Sequence, residues 1–107
     1  MSGKNIHEID VNQEIDPTKG FEGTFPAQAV DELLLELDPK HSGPPIVTLS
    51  GDGGAKKEFH PKPQFGREGR FSQQVGGPEK WSAVRVSLAR GKSAKLLKVK
   101  LIAKGAT

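Results

Sequence analysis

The sequence contains no cysteine among its 107 residues, and this absence excludes disulfide bonds and thiolate metal sites. It also has no apolar run that approaches the roughly 20 residues of a membrane-spanning helix. Its first ten residues, MSGKNIHEID, lack the basic and then apolar pattern of a secretory signal. We therefore expect a cytoplasmic protein that is not inserted in a membrane.

Groupings of residues that indicate catalysis are also missing. The histidines His7, His41 and His60 are widely separated, and none has the spacing to a second ligand that is typical of a metal site. The run GKS at residues 91–93 matches only the end of a phosphate-binding loop, because the position that requires the first glycine is Val86. We therefore expect no enzymatic activity, no cofactor and no metal. The signatures of ribonucleoprotein motifs, zinc fingers and helix-turn-helix proteins are absent too.

The length predicts one small domain that spans residues 1–107, with a disordered tail at residues 1–5. Leucine, isoleucine, valine and phenylalanine together number 26, which is enough for a single core. A domain of this size buries only roughly 60–70% of the surface that its unfolded chain exposes. Association into a homo-oligomer or a larger protein assembly is therefore one way for this chain to cover more apolar surface.

Charge is distributed very unevenly along the chain. Residues 1–53 contain three lysines and ten acids, whereas residues 54–107 contain thirteen basic residues and three acids. In one interpretation the acidic half folds onto the basic half and neutralises it. In the other, part of the basic half stays exposed as a surface for nucleic acid or another polyanion.

Two strong strand patterns, at residues 81–89 and 95–104, are separated by a short turn. Each has one apolar face when it is read with a period of two. These faces contain Ser82, Val84, Val86 and Leu88 in the first strand and Leu97, Val99, Leu101 and Ala103 in the second. The pattern predicts a C-terminal β-hairpin in which Val86 lies opposite Val99.

The reverse face of this predicted hairpin combines cations with an aromatic ring. In the same register Arg85 lies directly across from Lys100, and like charges in that position are destabilising. Such a face requires either an anionic partner or acids from the same chain. A short strand at residues 6–12 would supply Glu8 and Asp10, if it pairs beside the hairpin.

The spacing of apolar residues in the segment 26–38 predicts an amphipathic helix. Val30, Leu33, Leu34 and Leu37 follow the spacing of one helical face, whereas Leu35 lies off that stripe. Residues 46–50 form a β-branched run that predicts a central strand. We therefore expect an α+β fold, in which an antiparallel sheet of three to five strands is covered by this helix.

Residues 55–80 contain glycines, prolines and no sustained period, which predicts a long, basic, irregular loop. Cations alternate there with Phe59, Phe65 and Phe71, a composition that proteins use to bind single-stranded nucleic acid. Phenylalanines that anchor a loop to the core would give the same spacing. An additional short strand at residues 69–75 is a further interpretation.

Two functional hypotheses follow. The first is a nucleic-acid-binding accessory protein for single-stranded DNA or RNA, and the second is a structural or protein-interaction subunit of a larger assembly. The candidate nucleic-acid-binding residues are Lys56, Lys57, Phe65, Arg67, Arg70, Phe71, Trp81, Arg85, Lys98 and Lys100.

Overall fold

The computed structural model describes residues 6–38, 45–66, 68–77, 79–89 and 93–103, so the predicted tail at residues 1–5 lies outside the described residues. The described residues form eight strands and a short 3₁₀ turn at Asp52–Gly54, and none of them lies in an α-helix. The prediction of an α+β fold is therefore wrong, because this part of the chain is all β. The strands are β1 (Ile6–Ile15), β2 (Phe21–Leu37), β3 (Pro45–Ser50), β4 (Lys56–Phe59), β5 (Lys62–Pro63), β6 (Arg70–Gln74), β7 (Lys80–Leu88) and β8 (Ala94–Ala103).

The strands form two antiparallel sheets that share the long strand β2. Sheet I has the order β1-β8-β2-β6-β5, and sheet II has the order β2-β7-β3-β4. Residues 21–29 of β2 pair with β7, whereas its later residues pair with β8 on one side and β6 on the other. A register shift between Thr24 and Gln28, around Pro26, precedes the passage from sheet II to sheet I.

The segment 26–38, predicted as a helix, lies almost entirely within β2. Its leucines fit both periods, because Leu33, Leu34 and Leu37 match a helical stripe while Leu33, Leu35 and Leu37 alternate along a strand. In the sheet these alternating leucines are all buried, and Leu34 is half-buried on the opposite face. Backbone pairing on both sides of β2 outweighs the local helix propensity. The helix prediction is therefore wrong.

The strands predicted at residues 81–89 and 95–104 are confirmed as β7 and β8, but they do not pair with each other. Strand β2 lies between them, so Val86 pairs with Phe21 in sheet II while Val99 pairs in sheet I. The predicted C-terminal hairpin is wrong. The predicted alternation holds from Val84 to Leu88 and from Val99 to Leu101, because burial there depends on the period and not on which strand lies alongside. It fails at the other end of each strand, where Trp81 is buried and Leu96 is buried in place of Leu97.

The segment 55–80 contains β4, β5 and β6, so the prediction of a long irregular loop is also wrong. The alternative of a strand near residues 69–75 is confirmed by β6. Gly66 and Gly69, both with positive φ, lie in the turn between β5 and β6, where glycine adopts this conformation without steric cost.

One hydrophobic core receives side chains from both sheets. In sheet I the inward row runs from Ile9 through Val99 and Leu35 to Phe71, each residue paired with the next across neighbouring strands. The His7 and Phe25 rings, from β1 and from the bend of β2, have centroids 6.2 Å apart. The core therefore holds the two sheets together as one unit, and the charged side chains are left on the opposite faces.

Candidate interaction surface

The outer face of sheet I carries a row of alternating charges that crosses four strands. Asp10 of β1 pairs with Lys98 of β8, Lys98 pairs with Glu36 of β2, and Glu36 pairs with Arg70 of β6. Arg70 Nη2 lies 3.1 Å from Glu36 Oε1, and Lys98 Nζ lies 3.7 Å from Asp10 Oδ1. Opposite charges directly across a strand pair stabilise that pairing. Because the acids come from the acidic half of the chain and the cations from the basic half, the two halves neutralise each other here.

Glu8 contacts two cations of the same face. Its Oε1 lies 2.9 Å from Lys98 Nζ and 3.8 Å from Lys100 Nζ. The hydrogen bond from Lys98, together with the positive charge of that side chain, lowers the pKa of Glu8. The same hydrogen bond and the charge of Glu8 raise the pKa of Lys98. Both shifts favour the charged forms, so the pair is ionised over a wider pH range than either group alone.

Arg85 lies in sheet II, away from these lysines. It pairs with Glu22 of β2, and Arg85 Nε is 3.5 Å from Glu22 Oε1. The predicted opposition of Arg85 and Lys100 is wrong, because β2 lies between their strands. The alternative in which Glu8 and a neighbouring acid neutralise Lys98 is confirmed, although Arg85 takes a different acid.

Trp81 and Phe71, two of the predicted stacking residues, lie in the core and are each 3% exposed. The alternation along β7 breaks after Trp81, where its partner strand carries the register shift between Thr24 and Gln28. Neither ring has a free face for a nucleic-acid base. The only sequence signal for this change of face is Pro26, since proline in a strand is typical of bulges and edges.

Lys56, Lys57 and Phe65 are exposed, whereas Arg67 lies outside the described residues. Lys57 Nζ lies 5.4 Å from the centre of the Phe59 ring, within the range of a cation–π contact. Phe65 is fully exposed in the turn that follows β5. Among the candidate residues that the structure describes, these three are exposed and form no ion pair with a described acid.

Two concavities collect several candidate residues. A groove of about 650 Å³ on the outer face of sheet II is lined by Lys56 and Arg85 together with small hydroxyl side chains and Glu22. A pocket of about 120 Å³ on sheet I brings Arg70, Lys98 and Lys100 together around Leu34. In both places acids of the chain stand beside the cations, so neither is a purely basic surface.

Open strand edges are a candidate binding feature that the sequence patterns did not indicate. In the strand order, β1 and β4 occupy the two ends, and within the described residues each pairs with one neighbour only. An open edge presents backbone N–H and C=O groups that another strand can bind. Recognising these edges requires the topology, because the strand partners are distant in the sequence.

Among the described residues, no three His, Asp or Glu side chains lie close enough together to hold a metal ion. His60 forms a contact with Glu58 instead, with Nε2 3.0 Å from Oε2, and both side chains are exposed. The described parts of the chain include no helix that is long and apolar enough to cross a membrane. No protein-family model, curated protein or solved structure matches this chain.

Proposed function

We propose that this protein is a non-enzymatic structural subunit, located in the cytoplasm, that joins a larger protein assembly through the open edges of its sheets. One observation carries this proposal: β1 and β4 each pair on one side only within the described residues, and neither strand contains proline. An edge that contains no proline and is not covered by another described strand can accept an added strand through its backbone N–H and C=O groups.

The paired charges of the broad faces support the same proposal. Arg70, Arg85, Lys98 and Lys100 each have an acid of the same chain within ion-pair distance. A polyanion would have to displace those carboxylates before it gained the counterion release that drives nucleic-acid binding. The large faces therefore favour a protein surface over a nucleic-acid surface.

A second candidate function is binding of single-stranded nucleic acid, and the exposure of Phe65 favours it. A wholly exposed aromatic ring can stack on a base, and such stacking tolerates any base sequence. Lys56, Lys57 and Lys62 form no ion pair with any described acid, so they remain available to phosphates. On this alternative the site would be limited to the segment from β4 to the turn after β5.

The two candidates are separated by sizing the protein in a native extract of its own source cells, with and without nuclease treatment. A structural subunit is expected to elute far above the 11.5 kDa of the single chain and to be unaffected by nuclease. Elution as a monomer would overturn the proposal. A large complex that nuclease reduces to monomer would also overturn it, and would favour the second candidate.

The second candidate has its own variant. Phe65→Ser is expected to weaken retention on single-stranded DNA if the ring stacks on bases. It should leave the thermal midpoint unchanged, because the ring makes no buried contacts. Equal retention of the variant and the unmodified protein would count against base stacking at this turn.

A further inference from the structure

Resting on the structural function proposed above, we infer that the partner of this chain is a second copy of itself. Copies join head to tail, so that the open edge of β1 in one copy adds to the open edge of β4 in the next.

Proline lies in two of the four sheet edges that the described strands form. Sheet I ends in β1 and β5, and sheet II ends in residues 21–29 of β2 and in β4. Pro63 lies in β5 and Pro26 in β2, and proline lacks the N–H group that a strand ladder requires. Among the described strands, β1 and β4 are therefore the edges that can accept another strand.

These two edges carry charges of opposite sign. Strand β1 contains the acids Glu8, Asp10 and Glu14 and no lysine or arginine. Strand β4 begins with Lys56 and Lys57, and neither is ion-paired with a described acid. Its one acid, Glu58, is engaged by His60. Glu8 and Asp10 also contact Lys98 and Lys100 of β8, but β1 itself carries only acids. Its edge in one copy therefore complements the lysines of β4 in another copy.

The charges also select the symmetry. A two-fold dimer that paired β1 with β1 would bring Glu8 and Asp10 of two copies together, and like charges across a strand pair are destabilising. A β4 dimer would do the same with its lysines. The remaining arrangement is heterologous, and heterologous contacts between identical chains generate rings or filaments.

The usable lengths of the two edges correspond. The register of β1 shifts between Asp10 and Gln13, where Asn12 has a φ of 49°. This bulge limits the regular edge to the five residues from Ile6 to Asp10, next to the four residues of β4. Ile6 is 59% exposed in the free chain, and an added strand would cover part of that apolar surface.

The test uses purified protein and two charge-reversed variants. Glu8→Lys with Asp10→Lys makes the regular β1 edge, Ile6 to Asp10, basic, and Lys56→Glu with Lys57→Glu makes the β4 edge acidic. Sedimentation velocity over a range of protein and salt concentrations measures association. Unmodified protein is expected to form head-to-tail oligomers that dissociate as salt screens the edge charges. Each variant alone should associate about tenfold or more weakly, because its two edges now carry the same sign.

An equimolar mixture of the two variants provides the decisive readout. Each basic edge then meets an acidic edge on the other variant, so the mixture is expected to recover association. Matched controls make the same changes of charge away from the edges: Glu68→Lys with Glu79→Lys, and Lys19→Glu with Lys80→Glu. These controls should associate like the unmodified protein. Circular dichroism verifies that every variant is folded.

Three results would overturn the inference: monomeric unmodified protein at all concentrations, association that the edge variants do not weaken, or a mixture that fails to recover it. The structural function is judged separately, by the nuclease-resistant complex in the cell extract. A large complex in the extract together with a monomeric purified chain would reject the second copy as partner and keep the structural function.

Discussion

Glu8 Oε1 and Lys98 Nζ lie 2.9 Å apart and join β1 to β8, the first and the last of the described strands. The contact lowers the pKa of Glu8 and raises the pKa of Lys98. It therefore links the pairing of these distant strands to the protonation of one exposed carboxylate.

The first prediction concerns pH. Because the pKa of Glu8 is lowered by folding, its contribution to stability is present above the ordinary glutamate pKa and is lost as the pH falls through the lowered value. Glu8→Gln should reduce the free energy of unfolding at pH 7, and this loss should be smaller at pH 3. Urea denaturation at the two pH values, followed by the fluorescence of the single tryptophan, measures this.

Glu68→Gln is the matched control for that experiment, since Glu68 is exposed and has no ion-pair partner among the described residues. It should leave the difference between pH 7 and pH 3 unchanged. Equal pH dependence of the Glu8 variant and the unmodified protein would show that the contact with Lys98 is not formed in solution.

The second prediction replaces Arg85, Lys98 and Lys100 together with glutamine. The predicted hairpin set Arg85 against Lys100, so that model of the fold requires unchanged or improved stability. The observed strand order gives each cation an acid across the strand pair, and removing the cations leaves those acids without partners. We therefore expect a lower thermal midpoint, measured by circular dichroism.

Replacing Lys56, Lys57 and Lys62 with glutamine removes the same net charge and serves as the control. None of these lysines is ion-paired with a described acid. The thermal midpoint of this control variant should therefore match that of the unmodified protein. If the first triple variant has a thermal midpoint equal to or above that of the unmodified protein, the ion pairs of these three cations do not stabilise the fold.

The third prediction distinguishes strand from helix in β2. Leu35→Ala should cost about 2–5 kcal/mol, because it opens a cavity in the core. Leu34→Ala should cost about 1 kcal/mol or less, since Leu34 is half-buried on the outer face. A helix over residues 26–38 requires the reverse order. Chemical denaturation of the two variants decides between them.

The fourth prediction concerns the bulge in β1. Asn12 is the only described residue other than glycine with a positive φ, a conformation that costs most side chains about 1–2 kcal/mol. Asn12→Val should therefore destabilise the protein by about that amount, whereas Asn12→Gly should be neutral or slightly stabilising. Gln13→Val, at the next strand position, is the control, and a similar loss of stability there would contradict the argument from backbone conformation.

The strands β1, β7 and β8 were predictable because alternation of polar and apolar residues is a local signal, and β3 was predictable from its β-branched residues. Strand β2 was not, because three consecutive leucines at residues 33–35 fit either period until the partners on both sides are known. The predicted hairpin assumed that neighbouring strands pair, which holds about two-thirds of the time. Here β2 intervenes, and no short-range pattern reveals it.

Only part of the candidate surface could be predicted from the sequence. The contact of Lys98 with Glu8 and Asp10 was one of two interpretations of the charge pattern, and the structure selects it. The burial of Trp81 depends on the register shift near Pro26, which follows from tertiary geometry. The open edges depend on the complete strand order, so sequence patterns cannot identify them.

Among the described strands, β1 has β8 as its only partner, and this has a consequence for synthesis on the ribosome. Strand β1 emerges first, but its partner emerges only after most of the intervening chain has been translated, which takes on the order of ten seconds at 5–20 residues per second. Until then β1 has no strand in sheet I with which it can pair. Closure of this sheet is therefore a late event, and a nascent chain that ends before β8 has to keep β1 soluble through its charges alone.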